Sequence, residues 1–181
     1  ASASQSWNYS GPLSNQEIFD KSRIGLDLGI YSEWFNFPVI SILTEIHYIQ
    51  KGCKDEFVVT TMDNPDGIGE TRTSTPRIDY ISIPILAKIQ YNTKSITFYG
   101  IVGPRLDILI GKNSDAMGAV FDDLKKTDFG GTFGIGFELL LKNTYHIGGE
   151  FRYSFSSQTI FSNQWLNVKN KSLEFLLVFG L

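Results

Sequence analysis

The chain has 181 residues, with 16 basic and 19 acidic side chains and a formal net charge of -3. This length fits one domain on the usual scale of about 100–200 residues. No block of like charge could follow a polyanion, which excludes nucleic acid as a partner. A single cysteine, Cys53, and two histidines, His47 and His146, exclude an internal disulfide and the common zinc spacings, and no cofactor or metal is expected.

The composition favours β-strands. The chain contains 14 Phe, 8 Tyr and 17 Gly residues, and aromatic residues are enriched in strands. No apolar run reaches the roughly 20 residues of a membrane helix, whereas a strand of a membrane barrel needs only about 9–11 residues that alternate in polarity. A membrane β-barrel is therefore compatible with this composition.

Seven segments from Arg23 onward alternate large apolar residues with small or polar ones, as strands between two different environments do. In chain order they are 23–34, 39–51, 78–91, 95–109, 128–141, 144–155 and 171–181. The segment 128–141 is the clearest, because Phe133 and Phe137 share one face and Gly134 the other. Residues 1–22 form an N-terminal segment with one possible strand, around 5–10.

The connections between these segments alternate in length. Three are short turns, at 36–38, 92–94 and 142–144. The other three are long polar loops, at 52–77, 111–127 and 156–170. Short turns at one end and long loops at the other are typical of outer-membrane barrels, in which the short turns are periplasmic and the strand number is even. We therefore predict an all-β fold, an eight-stranded antiparallel up-and-down transmembrane β-barrel of the bacterial outer membrane, with long extracellular loops and residues 23–181 as its barrel domain.

Several motifs, taken in order, resemble one family of such barrels. They are GLDLGI at 25–30, LTEIHYIQKG at 43–52, YISIPILAK at 80–88, YGIVGP at 99–104, DFGGTFGIG at 128–136 and EFRY at 150–153. Over about residues 24–181 the chain resembles the PorT-like outer-membrane β-barrel family of Bacteroidetes. The resemblance implies an eight-stranded outer-membrane barrel. The member that names the family is tied to type IX secretion, and the resemblance carries over no catalytic residues.

Charged residues on the polar faces would meet inside the barrel. Because an eight-stranded barrel is just wide enough for side chains to fill, we expect paired charges to form a packed polar core. This predicted lumen network consists of Asp27, Glu45, His47, Lys88, Arg105, Asp107, Glu138, Glu150, Arg152 and Glu174. Its predicted role is structural, with a filled, non-conducting lumen and no enzymatic activity.

Three alternatives compete with this interpretation. A lipid-modifying barrel enzyme would pair His47 with Glu45 as its base. Its nucleophile would be Ser41 or Ser82. A metal site would combine the two histidines with Glu150, although no spacing fixes its geometry. A soluble lipocalin-like barrel would hold an apolar ligand, which requires the large apolar face to point inward.

Aromatic residues near the strand ends predict two interfacial belts. The short-turn belt comprises Trp34, Phe35, Phe37, Tyr91, Phe98 and Tyr145, and the long-loop belt comprises Tyr80, Tyr153, Phe155, Phe161 and Trp165. These belts predict contact with outer-membrane lipid and lipopolysaccharide.

The longest predicted loop, 52–77, is the candidate partner loop. Its residues predict a hairpin that extends two strands beyond the membrane, with an apolar strip at Phe57, Val58 and Val59. Exposed loops commonly carry binding functions. We therefore predict a structural or accessory role in an outer-membrane assembly, such as secretion or envelope machinery, with other outer-membrane or periplasmic proteins as partners.

Overall fold

The structure is a computed structural model that describes residues 2–9, 21–35, 37–58, 69–113, 123–141, 144–162 and 166–180. Within these residues the chain forms ten strands. They are β1 (Ser2–Tyr9), β2 (Lys21–Ile24), β3 (Asp27–Trp34), β4 (Ile40–Val58), β5 (Thr71–Ser74), β6 (Arg77–Asn92), β7 (Ile96–Asn113), β8 (Thr127–Leu141), β9 (Tyr145–Ser156) and β10 (Leu166–Gly180). No helix in these ranges has the length and apolar character needed to cross a membrane.

The strands form one antiparallel sheet in the order β1, β10, β9, β8, β7, β6, β4, β3. The strands β2 and β3 occupy one position of the wall, interrupted at Gly25 and Leu26, and β5 pairs with the far end of β4 alone. Counted this way, the wall has eight strand positions. The predicted all-β, up-and-down fold is therefore confirmed, and β1 occupies the eighth position.

The two faces of the wall differ sharply in polarity, as the alternating pattern predicts. On β8, Ile135 is 69% exposed on the outer face, whereas Thr132 is 2% exposed on the inner face. The other barrel strands whose side chains are described repeat this arrangement with outward Leu28, Ile46, Ile85, Val102, Phe151 and Leu177. A lipocalin-like barrel needs the reverse orientation, so that alternative is wrong.

Three strands continue into segments predicted as loops. The strand β4 reaches Val58, β7 reaches Asn113, and β10 begins at Leu166. The pairing of β4 passes from β6 to β5 just after Gly52, whose φ of 144° favours glycine and whose missing side chain leaves room for the Pro76 carbonyl. The predicted hairpin therefore exists, and its ladder runs from the Asp55–Ser74 pair to the Val58–Thr71 pair.

The described parts of two long connections, 123–126 and 157–162, cover the mouth of the barrel. Leu124 and Phe161 form an isolated bridge, and the Ile160 amide donates to the Val168 carbonyl at 2.9 Å. The side chains of Leu124, Ile160 and Phe161, which we call the outer plug, are buried against the inward residues Ile49, Ile78, Tyr80 and Val168. The long-loop end of the lumen is therefore packed with apolar side chains.

The predicted aromatic belts need one correction. The six residues of the short-turn belt are all exposed. At the other end, Tyr80 and Phe161 are buried inside the barrel, because Tyr80 lies on the inward face of β6 and Phe161 belongs to the outer plug. Tyr153 and Phe155 stack with ring centroids 6.3 Å apart, and Trp165 lies outside the described residues.

One part of the wall is interrupted. The strand β2 pairs with both β1 and β4, which joins the ends of the sheet near the long loops. Towards the short turns, β3 and the segment 174–180 of β10 face each other, and no described residue pairs between them. We call this space the seam.

Candidate functional site

A two-point ion pair crosses the lumen. The Arg152 guanidinium on β9 donates to Glu45 on β4 through Nη1 at 2.5 Å and Nη2 at 2.8 Å, and its Nε also contacts Glu150. All three residues are at most 4% exposed. Such fork-to-fork pairing is among the strongest polar contacts in proteins. Because β4 and β9 are not neighbours in the sheet, the pair fixes opposite walls of the barrel.

His47 lies between two carboxylates. Its Nδ1 is 2.8 Å from Asp27 Oδ1 and its Nε2 is 2.9 Å from Glu45 Oε2. An ionised carboxylate only accepts hydrogen bonds, so both ring nitrogens act as donors. In this arrangement His47 has no ring nitrogen available to take a proton from a nucleophile.

The two serines considered as nucleophiles are also engaged. The Ser41 hydroxyl donates to Glu33 Oε1 at 2.5 Å. Ser82 stands opposite His47 in the β4–β6 pairing, but its hydroxyl bonds to Asp107. Only Ser82 therefore lies beside His47, and neither serine forms a nucleophile and base pair with it.

Lys88 links three strands near the short turns. Its Nζ lies 3.2 Å from Glu33 Oε2 on β3 and 3.0 Å from Glu138 Oε1 on β8. It also lies 4.5 Å from the centre of the Tyr99 ring, and the Tyr99 hydroxyl donates to Glu150 Oε2 at 2.9 Å. Lys88 is only 2% exposed, and the Tyr99 ring and the two carboxylates together compensate the cost of burying its charge.

A second polar group fills the lumen nearer the outer plug. Lys51 Nζ donates to Asp107 Oδ2 at 2.5 Å, and Arg105 Nε lies 3.1 Å from Asp107 Oδ1. Arg105 Nη1 lies 3.9 Å from Glu174, whose Oε1 accepts from Ser172 at 2.6 Å. These two contacts, through Arg105 Nε and Nη1, are ionic and lack the alignment of a hydrogen bond.

All ten residues of the predicted lumen network point inward, in two groups. The group near the short turns contains Asp27, Glu45, His47, Lys88, Glu138, Glu150 and Arg152, and the group near the loops contains Arg105, Asp107 and Glu174. Sequence reasoning left out Lys51, although it shares the parity of Glu45 and His47 on β4. It also left out Asn170, which donates to Asp128 at 3.1 Å from a segment predicted as a loop.

The lumen is not filled along its whole length, which corrects the sequence-based expectation. A cavity of about 1290 Å³ occupies the half near the short turns, between Glu33, His47 and Glu138. It extends to the seam, where Leu28 and Leu177 also line it. The cavity therefore lies beside the part of the wall where the described residues of β3 and β10 do not pair with each other.

The residues proposed for a metal site do not assemble. His146 is half-buried and lies 4.0 Å from Glu138, whereas His47 is held by Asp27 and Glu45. Across the described ranges, no group of three or more His, Cys, Asp or Glu side chains is placed to hold a metal ion.

The candidate partner loop is placed only in part. Phe57 and Val58 lie in the β4–β5 hairpin, opposite Arg72 and Thr71. Val59 lies outside the described residues.

Comparison with known proteins agrees with this architecture. The model of the outer membrane protein beta-barrel domain family matches residues 1–161. No curated protein matches the chain. Among solved structures, the chain is similar to the crystal structure of Ail, the attachment invasion locus protein of Yersinia pestis, in complex with the heparin analogue sucrose octasulfate. The identity is 14% and the TM-score 0.39, over 99% of this chain and 92% of that chain. The family match covers most of the sequence, so the chain belongs to the outer membrane protein beta-barrel domain family and is a protein of the bacterial outer membrane.

Proposed function

We propose that this protein is a non-enzymatic, non-conducting barrel with an accessory role in an outer-membrane assembly, such as secretion or envelope machinery. The observation that carries the proposal is the Glu45–Arg152 pair across the lumen. Charges that neutralise one another inside the wall depend on each other for compensation and are not free to act on a substrate. The ordered motifs that resemble the PorT-like family support a place in such machinery.

The outer plug supports a barrel that does not conduct. Ile160 and Phe161 are 1% exposed, and beneath them Lys51, Asp107 and Arg105 occupy the lumen. A steady flux of ions would need a continuous water path through both layers. The outward apolar side chains suit contact with outer-membrane lipid and lipopolysaccharide.

The β4–β5 hairpin is the part of the barrel best suited to contact a protein partner. The strand β4 has 19 residues, whereas about 9–11 are enough for a strand to cross the membrane. In the described part of the chain, β5 pairs with β4 alone, so its second edge can accept a strand from another protein. We propose that the partner is a surface-exposed part of another outer-membrane protein.

The test is to replace residues 55–74 by a short Gly-containing turn and to isolate the protein from detergent-solubilised native membranes. We expect the shortened barrel to remain folded, judged by faster gel migration before boiling, and the copurifying proteins to be lost. The matched control is Lys94→Ser in an exposed short turn at the opposite end, which should retain them. Unchanged copurification with a folded, shortened barrel would place the partner elsewhere.

A further inference from the structure

The outer face of β6 changes from apolar to charged near its long-loop end. Its outward side chains are isoleucine or alanine from Ile89 to Ile81, a length close to the roughly 9–11 residues that a strand needs to cross the membrane. Asp79 and Arg77 come next on the same face, because Ile78 between them is buried in the lumen. Both charges therefore lie at the level of the outer-leaflet headgroups.

Arg23 of β2 reaches the same place across β4. Gly52 of β4 stands opposite Arg77, and a Cβ on Gly52 would lie 3.4 Å from Arg23 Cδ. The missing side chain leaves room for Arg23 to lie over β4, within electrostatic range of both Arg77 and Asp79. The two arginines therefore meet on the outer face beside one carboxylate.

Positive charge exceeds negative charge here among the described residues. The guanidiniums of Arg23 and Arg77 share the carboxylate of Asp79, and just beyond them Lys21 stands directly opposite Lys54 in the β2–β4 pairing. We call Lys21, Arg23, Lys54 and Arg77 the basic rim. Because like charges directly opposite each other destabilise a strand pair, an anion bound at the basic rim would stabilise the wall.

The two guanidiniums also have donors to offer to an anion. Arg23 Nη1 is buried, and no group in the described ranges accepts a hydrogen bond from it. Arg77 Nε lies 3.2 Å from Asp79 Oδ1, without the alignment of a hydrogen bond. A buried donor without an acceptor is costly, and such a donor can mark the place of a bound ion or water. Guanidinium suits phosphate in particular, because its fork of N–H groups matches two phosphate oxygens.

An apolar surface lies below the basic rim, towards the middle of the membrane. Leu28, Ile46 and Ile85, on the neighbouring strands β3, β4 and β6, are each more than half exposed on the outer face. A molecule that contacts both surfaces must carry an anionic headgroup and acyl chains. The phosphorylated glycolipid of the outer leaflet meets both requirements in one molecule.

We propose that the basic rim is a binding site for the phosphate of an outer-leaflet glycolipid, whose acyl chains lie on the apolar surface below it. Arg23 and Arg77 bind the phosphate, and Lys21 and Lys54 add electrostatic attraction beside it. This inference rests on the lipid contact in the proposed function and does not depend on the protein partner.

The test compares diphosphoryl lipid A with the same lipid after treatment with alkaline phosphatase. Each lipid is added to the protein in detergent, and bound lipid is measured by native mass spectrometry. We expect the phosphorylated lipid to bind about tenfold more tightly, and Arg23→Gln or Arg77→Gln to remove most of that difference. Lys94→Gln, in an exposed short turn at the opposite end, should leave it unchanged. Equal binding of the two lipids, or an undiminished difference in both folded arginine variants, would overturn the proposal.

Two further measurements separate other occupants of the basic rim. Inorganic phosphate at the concentration of the lipid should not displace it, and displacement would mean that the site takes a free anion instead. The barrel shortened at residues 55–74 keeps the basic rim, so once folded it should bind the phosphorylated lipid even where its copurifying proteins are lost. If Arg23→Gln lost those proteins and kept the lipid, the basic rim would be a protein contact and the proposal would be wrong.

Discussion

Glu45 on β4 and Arg152 on β9 meet across the lumen, although β6, β7 and β8 lie between their strands in the wall. The contact links opposite walls of the barrel directly, in addition to the ladder hydrogen bonds between neighbouring strands. Because Glu45 also accepts from His47, loss of the arginine would leave a buried carboxylate that is only partly compensated.

The first prediction concerns this pair. Arg152→Met should lower the free energy of unfolding by about 3–5 kcal/mol, because it removes one partner of a buried ion pair and leaves Glu45 and Glu150 without it. The double variant Glu45→Gln with Arg152→Met should recover part of the loss. Urea unfolding in lipid vesicles measures both, with Lys94→Met at an exposed turn as the control. A loss as small as that of the control would mean that the pair does not stabilise the barrel.

The second prediction tests the orientation of the wall. Ile135 lies on the lipid-facing side of β8, so Ile135→Arg should cost about 2–4 kcal/mol if the residue lies near the bilayer midplane. Ser157→Arg, an exposed position beyond the end of β9, should cost only about 0–1 kcal/mol. The measurement is again unfolding in lipid vesicles. Equal effects at the two positions would contradict the assigned face.

The third prediction is that the barrel does not conduct. The outer plug and the Lys51–Asp107 pair block the lumen in series, so purified protein in planar bilayers should show no steady large conductance. Reproducible open channels from folded protein would contradict both the blocked lumen and the proposed function.

The fourth prediction concerns which side of the membrane gives access to the cavity. Glu33 lines the cavity near the short turns, while the outer plug covers the opposite mouth. In a Cys53→Ala background, Glu33→Cys should react with a membrane-impermeant thiol reagent added on the short-turn side and not on the loop side. Lys94→Cys and Ser157→Cys report the two sides as controls. Reaction of Glu33→Cys from the loop side would mean that the plug does not seal the mouth.

The strand positions and the two faces of the wall could be predicted from the sequence, because a membrane barrel places opposite solvents on alternate residues. Phe133 faces outward for that reason, whereas Gly134 faces the lumen, where a side chain would meet the Phe151 carbonyl and Arg152. The same parity indicated which charges meet inside the barrel, although their partners depend on which strands face each other across the lumen. The pairing of Glu45 with Arg152 therefore required the structure.

The remaining differences have one physical origin. Inside the barrel, loops and strands share a single space, and a residue in an irregular segment has no parity to indicate where it points. Phe161 and Asn170 come from such a segment, yet both lie in the lumen. The cavity also escaped prediction. Alternation within a strand indicates which face a residue lies on, but it does not indicate whether that strand pairs with its neighbour, as β3 and β10 fail to do beside the cavity.

The strand β4 extends beyond its last pair with β6. The length of this extension determines how far from the membrane surface a partner protein would contact the barrel. Cys53 and Lys54 still pair with β2, and from Asp55 to Val58 the strand continues with β5 alongside it. At about 3.4 Å per residue, these four residues reach up to about 14 Å beyond the barrel rim. A partner protein can therefore touch the hairpin without entering the bilayer, and shortening this extension would bring the point of contact closer to the membrane surface.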